Sequence, residues 1–372
     1  MPINKTCPWI VVFTQIPSPY QVDLFNRVQA SGGIHISVIY QARSDKTRFW
    51  KACELLHPHD FLGECSAQKL RHILDQADLV IFSGYRNHHL RTLMSLREAT
   101  GRPWVFWGEK MGFQVPVSIG ALYRKWNLRT LHQSSAGMWG IGSWAVKQFA
   151  AEFGRKRSYT DVPYSSDLRA FLAVERKAES NRPRRFLFSG SLTRRKGFSL
   201  LLQSMEQLLQ EGSDVELAIA GVGPLGSLAY KLKKKYGVRV EIMGFLQPQD
   251  LPRAYGECDV LCAPSRYDGW GLVVVEGMAA GMPVISTCVT GAAIDLLDDS
   301  CGWVIRPGDQ TSLYDALKSA ADIDINKLRQ MGMIGRDRAR AFDVEAGAKR
   351  FLSAALSAIT SSSQPRPRPV PA

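Results

Sequence analysis

No C-x-x-C pair occurs among the seven cysteines of this sequence, Cys7, Cys53, Cys65, Cys258, Cys262, Cys288 and Cys301. An odd count without metal-ligand spacing is what a chain kept reduced can carry without consequence, and a chain of 372 residues is no disulfide miniprotein. Histidine is missing from the second half: all seven histidines precede Gln133. No pair among them, including His57-Pro-His59 and His88-His89, has the spacing and company of metal ligands. They read as solvated or hydrogen-bonded surface groups. Long apolar runs are absent too. The longest candidate, residues 269–286, contains Glu276, four glycines and Pro283. A charge at mid-bilayer costs about 2.5–3.5 kcal/mol, so this stretch reads as loop, helix and strand, and no spanning segment remains. The apolar run 9–13 is strand-sized and does not read as a signal peptide. The expected localisation is cytoplasmic.

What is there has the balance of a globular protein: 372 residues, 45% hydrophobic and 22% charged. At about 150 residues per domain this gives two to three domains, most simply two. The formal net charge is +13, and before Ser180 there are 23 basic residues against 14 acidic ones. A basic first half suits anionic lipid, a phosphorylated substrate or nucleic acid.

Short apolar runs alternate with amphipathic stretches, the pattern of βα units around parallel sheets. In the first half, 9–13, 34–40, 79–82, 104–107 and 138–141 are predicted strands. Helical spacing covers 20–30, 67–76, 89–99, 119–131 and 144–153. A polar, aperiodic stretch follows, and then a second series begins. Its predicted strands are 186–189, 215–220, 238–243, 260–262, 283–286 and 303–305. Helices fall between them, at 198–210, 225–236, 249–255, 272–280 and 310–321. The expected organisation is an amino-terminal domain over 1–165, a linker over 166–184 and a second domain over 185–340. A helix at 341–360 and a disordered Pro-rich tail at 361–372 complete it. The fold class is α/β, two tandem doubly wound domains. Ligands of such domains bind where strand ends meet loops, and a cleft between the two is the expected place.

The most informative stretch is Pro264-Ser-Arg-Tyr-Asp-Gly-Trp-Gly-Leu-Val-Val-Val-Glu-Gly-Met-Ala-Ala-Gly-Met-Pro-Val. Asp268 ends a loop after an apolar strand, Gly269 and Gly271 bracket Trp270, and a helix starts near Leu272. Glycines admit a ligand close to the backbone, and a helix start favours an anion. Glu276 lies about one turn inside that helix, so both carboxylates can face one bound molecule. Upstream, Ser189-Gly-Ser-Leu-Thr-Arg-Arg-Lys-Gly197 places a basic cluster at a strand end, suited to neutralising phosphate. Cations for a diphosphate and carboxylates for sugar hydroxyls describe a nucleotide-sugar site. Each motif also has a plainer reading: a tight strand–helix junction for the first, a solvated charge run for the second. Gly221-Val-Gly-Pro-Leu-Gly226 matches a dinucleotide fingerprint in form, yet Pro224 at a helix start explains it as punctuation. Asp322-Ile-Asp324 copies a metal-binding D-x-D and reads as a helix cap.

These residues resemble the retaining glycosyltransferases of family 4 (glycosyl transferases group 1), which have the GT-B fold. The Asp268-to-Glu276 segment is similar to their Glu–seven residues–Glu motif, and the flanking Gly-x-Gly-Leu-x-x-x-Glu-x-Met-Ala-x-Gly-x-Pro-Val pattern matches over about twenty positions. Residues 189–197 resemble the family's Gly-Arg…Lys-Gly loop. Gly221-Val-Gly-Pro224, Met243-Gly244-Phe245, Ser18-Pro19-Tyr20 through Phe25, and Trp107-Gly108-Glu109 are similar to further landmarks. Two residues depart from the pattern: Asp268 is one methylene shorter than the usual Glu, and Ser191 stands where Arg is common.

The resemblance implies two Rossmann-like domains facing across a cleft, with acceptor bound by the first and donor by the second. It implies catalytic roles for Asp268, Lys196, Arg195 and Glu109. It assigns donor binding to Gly190, Arg195, Lys196, Phe245, Asp268, Gly269, Trp270, Gly271, Leu272 and Glu276. No metal or other cofactor is expected. The expected reaction moves a hexose-type sugar from a UDP- or GDP-sugar to a glycan or lipid-linked saccharide. Peripheral contact with an anionic membrane is the expectation for the basic, amphipathic stretch 117–130. Nucleic acid is not an expected partner, because the basic residues are scattered and no recognition motif is present. The alternatives are a GT-B nucleotide-sugar epimerase and a non-catalytic basic binding protein.

Overall fold

The computed structural model describes residues 7–45, 49–51, 53–85, 87–111, 125–176 and 182–362. They fall into two compact units, one drawn from within residues 1–48, 52–163 and 344–372, the other from within 49–51 and 164–343.

The first unit is built on a seven-stranded sheet in the order β3-β2-β1-β4-β5-β6-β7. Its strands are β1 Trp9–Thr14, β2 His35–Tyr40, β3 His59–Phe61, β4 Leu79–Phe82, β5 Trp104–Gly108, β6 Gly137–Gly140 and β7 Tyr159–Asp161. Every pairing is parallel. β1 and β4 are fully buried along almost their whole length, as a sheet covered on both faces requires. The last helix, Val344–Ser362, belongs to this unit. Its Phe351 is fully buried among Phe25, Trp107 and Trp139, with ring centroids 5.6–6.2 Å away.

His57 corrects the expectation of surface histidines. It is 2% exposed, its Nδ1 lies 2.7 Å from Asn26 Oδ1, and its Nε2 lies 2.9 Å from the Tyr40 hydroxyl. Burial pushes its pKa down to about 4, so the neutral ring donates to Asn26 and accepts from Tyr40.

The second unit carries a six-stranded parallel sheet in the order β10-β9-β8-β11-β12-β13. The strands are β8 Arg184–Ser189, β9 Val215–Ala220, β10 Val240–Gly244, β11 Val260–Ala263, β12 Val284–Thr287 and β13 Gly302–Ile305. Of the stretch expected as a linker, the described residues 166–176 and 182–184 lie in this unit, where Leu168 and Phe171 are buried. Asp324 caps the helix Ile325–Ala339, its carboxylate accepting from the amides of Asn326 and Lys327. The Asp-x-Asp is a cap. Gly226 opens the helix Gly226–Tyr236, while a Cβ on Gly223 would lie 2.7 Å from backbone atoms of Leu192. Gly223 therefore serves loop packing.

Strand order reverses between β8 and β11, with β9 and β10 on one side and β12 and β13 on the other. At such a reversal the loops leaving the two central strands diverge, and a crevice opens at their carboxyl ends. The loop after β8 is 190–197 and the loop after β11 is 264–271, the two stretches singled out by their residue types. The stretch 117–130 lies mostly outside the described residues, as does most of the tail. No helix among the described residues is long and apolar enough to cross a membrane.

Candidate active site

The basic loop is shaped by one glycine. Gly197 has φ +72°, and a Cβ there would overlap the carbonyl oxygen of Pro264. Only glycine permits both the left-handed backbone and this approach. The Arg194-Arg195-Lys196 turn is thereby pressed onto the start of the Asp268 loop, and the Arg266 amide donates to the Arg195 carbonyl at 2.7 Å. Cations and acids remote in sequence meet through this contact.

Lys196 Nζ forms an ion pair and hydrogen bond with Asp268 Oδ2, and the two side chains are only 19% and 13% exposed. Arg195 Nη1 lies 3.9 Å from Asp268 Oδ1 and donates to the Tyr267 carbonyl at 3.3 Å. Its guanidinium carbon sits 5.5 Å from the centre of the Tyr267 ring. Arg195 is therefore aimed at the acid loop. Ser191 and Arg194 are exposed.

The acid loop is held from behind by the turn after β12. The Asp268 amide donates to the Val289 carbonyl at 3.0 Å, and its carbonyl accepts from the Gly291 amide at 3.2 Å. A Cβ on Gly291 would collide with the carbonyl oxygen of Gly269. Gly271, at φ +88°, ends the loop and begins the helix Leu272–Ala279, whose amino end no side chain caps. Its first-turn N–H groups and helix dipole present partial positive charge beside Lys196.

Glu276 lies in that helix and is partly buried. Burial raises its pKa to about 7, against opposing pulls from the Tyr255 hydroxyl and the Lys196 charge. The Tyr255 hydroxyl donates to Glu276 Oε2 at 3.3 Å and also engages Ser189 at the end of β8. Tyr255 is fully buried, its ring edge-on to Phe171 at 5.2 Å. It was not singled out from the sequence. The only signal was a polar tip on an aromatic residue in an otherwise apolar helix face, and such a tip takes a partner when buried.

Lys196, Arg195, Asp268 and Glu276 are thus brought to one end of one sheet, with Gly190 at the exit of β8. Gly269, Gly271 and Leu272 form the junction beneath them. The Trp270 side chain is 1% exposed and lies against Phe342, so this residue offers a ligand its backbone. Phe245 follows β10 at the same end of the sheet and is 37% exposed. Glu109 belongs to the first unit, where it follows β5 and is exposed.

Residues 173–338 match the family model described as Glycosyl transferases group 1. That match spans the second unit's sheet and both motif loops. The GDP-mannose-dependent monoacylated alpha-(1-6)-phosphatidylinositol monomannoside mannosyltransferase of Corynebacterium glutamicum is 25% identical over 217 residues, 54% of this chain and 56% of that protein. The phosphatidyl-myo-inositol mannosyltransferase of Mycobacterium leprae is 31% identical over 174 residues, 46% of this chain and 45% of that protein. The chain thus spans about half the length of these curated relatives. The crystal structure of Anabaena HepE in complex with UDP superposes with a TM-score of 0.72, covering 94% of this chain and 99% of that one at 16% identity. This likeness shows the fold: two Rossmann-like domains of the kind found in GT-B glycosyltransferases.

Proposed function

We propose that this chain is a retaining glycosyltransferase that moves a hexose-type sugar from a UDP- or GDP-sugar to a glycan or lipid-linked saccharide. The observation that carries the reading is the meeting of Lys196, Arg195, Asp268 and Glu276 at the β8/β11 reversal. Support comes from the glycosyl transferases group 1 match and from relatives named for transfer to phosphatidylinositol-based lipids.

In this reading the donor diphosphate binds over the uncapped helix start and takes Lys196 and Arg195 as counter-charges. Glu276, held by Tyr255, accepts hydrogen bonds from the ribose hydroxyls. Asp268 and the backbone from Gly269 to Leu272 hold the transferred sugar. The bond between the anomeric carbon and the phosphate oxygen breaks with both electrons going to the phosphate. Negative charge grows where the two cations already stand, so they stabilise the transition state more than the bound donor. The acceptor hydroxyl attacks from the face the diphosphate leaves, and its proton passes to the departing phosphate. Configuration is retained. Protein cations supply the counter-charge, and the reading calls for no metal. The first unit receives the acceptor.

The test is turnover of UDP- and GDP-hexoses with a panel of lipid-linked and glycan acceptors, the anomeric product being followed by NMR. Lys196→Ala and Glu276→Ala are each expected to lower transfer about a hundredfold or more, with unfolding temperatures near wild type. Near-normal rates in both variants contradict the reading. A donor altered with no acceptor present favours an epimerase instead.

A further inference from the structure

Phe49–Lys51, from the segment joining β2 to β3, is part of the second unit rather than the first. The Gln247 side chain clasps it at two points. Its Oε1 accepts from the Lys51 amide at 3.0 Å, and its Nε2 donates to the Phe49 carbonyl at 3.3 Å. One side-chain amide thus pairs with the backbone of residues two apart, as a neighbouring strand would. The clasp sets the Phe49 ring edge-to-face with Phe245, centroids 5.7 Å apart. Both rings remain open to solvent, Phe49 at 57% and Phe245 at 37%. Two phenyl rings in contact, the Phe49 backbone held by Gln247, have not solved their own burial, because much of their apolar area still faces water.

Their position says what would cover them. Phe245 leaves the carboxyl end of β10, which lies two strands from β8 in the sheet. At the usual strand spacing that is about 10 Å, of the order of the span from a diphosphate to its base. The diphosphate end is fixed at the loop after β8 by Lys196 and Arg195. We propose that Phe49, held by Gln247, is a positioning residue for the donor's nucleobase, which covers the exposed faces of the Phe49–Phe245 pair. This rests on the nucleotide-sugar reading and adds to it a wall contributed by a remote segment of the chain. A planar base on aromatic rings gains stacking without needing a hydrogen-bond code.

The test is calorimetric titration of the full chain with UDP, GDP and inorganic pyrophosphate, which carries the charge but no base. For wild type, Phe49→Ala, Phe49→Tyr and Gln247→Ala, the expected results separate by ligand. Phe49→Ala weakens the preferred nucleoside diphosphate roughly tenfold and leaves pyrophosphate unchanged. Phe49→Tyr restores wild-type affinity, and Gln247→Ala falls between. Equal nucleotide affinity in wild type and Phe49→Ala overturns the inference, as does tighter binding in Phe49→Ala, which would make the ring a plug in the base's place. Equal weakening of pyrophosphate also overturns it, since the loss is then structural. If wild type binds pyrophosphate and neither nucleotide, the donor reading itself fails and the inference falls with it.

Discussion

At the scale of single residues, the chemistry is set by what surrounds each ionisable group. Glu276 is held near pKa 7 by burial, so below that pH the free protein carries it increasingly as the acid. A protonated carboxyl accepts ribose hydroxyls less well than a carboxylate. Nucleotide affinity is therefore expected to fall as pH drops from 8 to 6, and Glu276→Gln should flatten that profile; titration of UDP or GDP across this range checks it. The same raised pKa means that the fold binds this proton more tightly than the unfolded chain does. Its contribution to stability is lost as pH rises from about 4.5 toward 7. His57 has the opposite sign. Its folded pKa near 4 lies below the ordinary 6.5, so stability is present above about 6.5 and is lost as pH falls toward 4, by on the order of 3 kcal/mol at the limit. Between pH 7 and pH 5 the Glu276 and His57 contributions oppose each other, so urea unfolding of Glu276→Gln at the two pH values should show the His57 loss, and adding His57→Gln should remove most of the difference. Among residues, the acids and cations of the site were legible because their types and loop positions carry the chemistry. Tyr255 was not, because nothing local distinguishes a core tyrosine from one that orients a carboxylate.

At the scale of elements, the buried strands were the most legible part, since parallel strands covered on both faces read as continuous apolar runs. Strands β3 and β7 were missed. They are three-residue edges of the first sheet, His59–Phe61 and Tyr159–Asp161, and pairing with β2 and β6 fixes them rather than any pattern of their own. The helix Ile325–Ala339 was likewise unread, because Gly332 and Gly335 lower its helical signal. In place, Gly332 admits the Gly281 carbonyl, which a Cβ there would overlap. The helix Val344–Ser362 owes its anchorage to Phe351, packed among two tryptophans and Phe25. Phe351→Ala is expected to cost about 3–5 kcal/mol, read as a lower urea midpoint. A change under 1 kcal/mol would mean that this aromatic cluster does not hold the helix.

At the scale of the whole molecule, two parallel sheets follow from a repeated alternation of apolar runs and amphipathic stretches, and each carries one reversal of strand order. What the alternation does not encode is strand order, which is decided by crossover handedness and by which loops can approach one another. Order is what turns the motifs into a site, because β8 and β11 lie side by side only through the reversal between them. Gly197 then closes the distance between their loops. The central claim is that this reversal binds a nucleoside diphosphate through Lys196. The most direct measurement is the unfolding free energy of wild type and Lys196→Ala with and without UDP and GDP. One of the two nucleotides, at a hundredfold over its dissociation constant, is expected to stabilise wild type by about 2.7 kcal/mol, and the same concentration to leave Lys196→Ala nearly unchanged. Absence of stabilisation by either nucleotide, or equal stabilisation of the variant, would contradict the account.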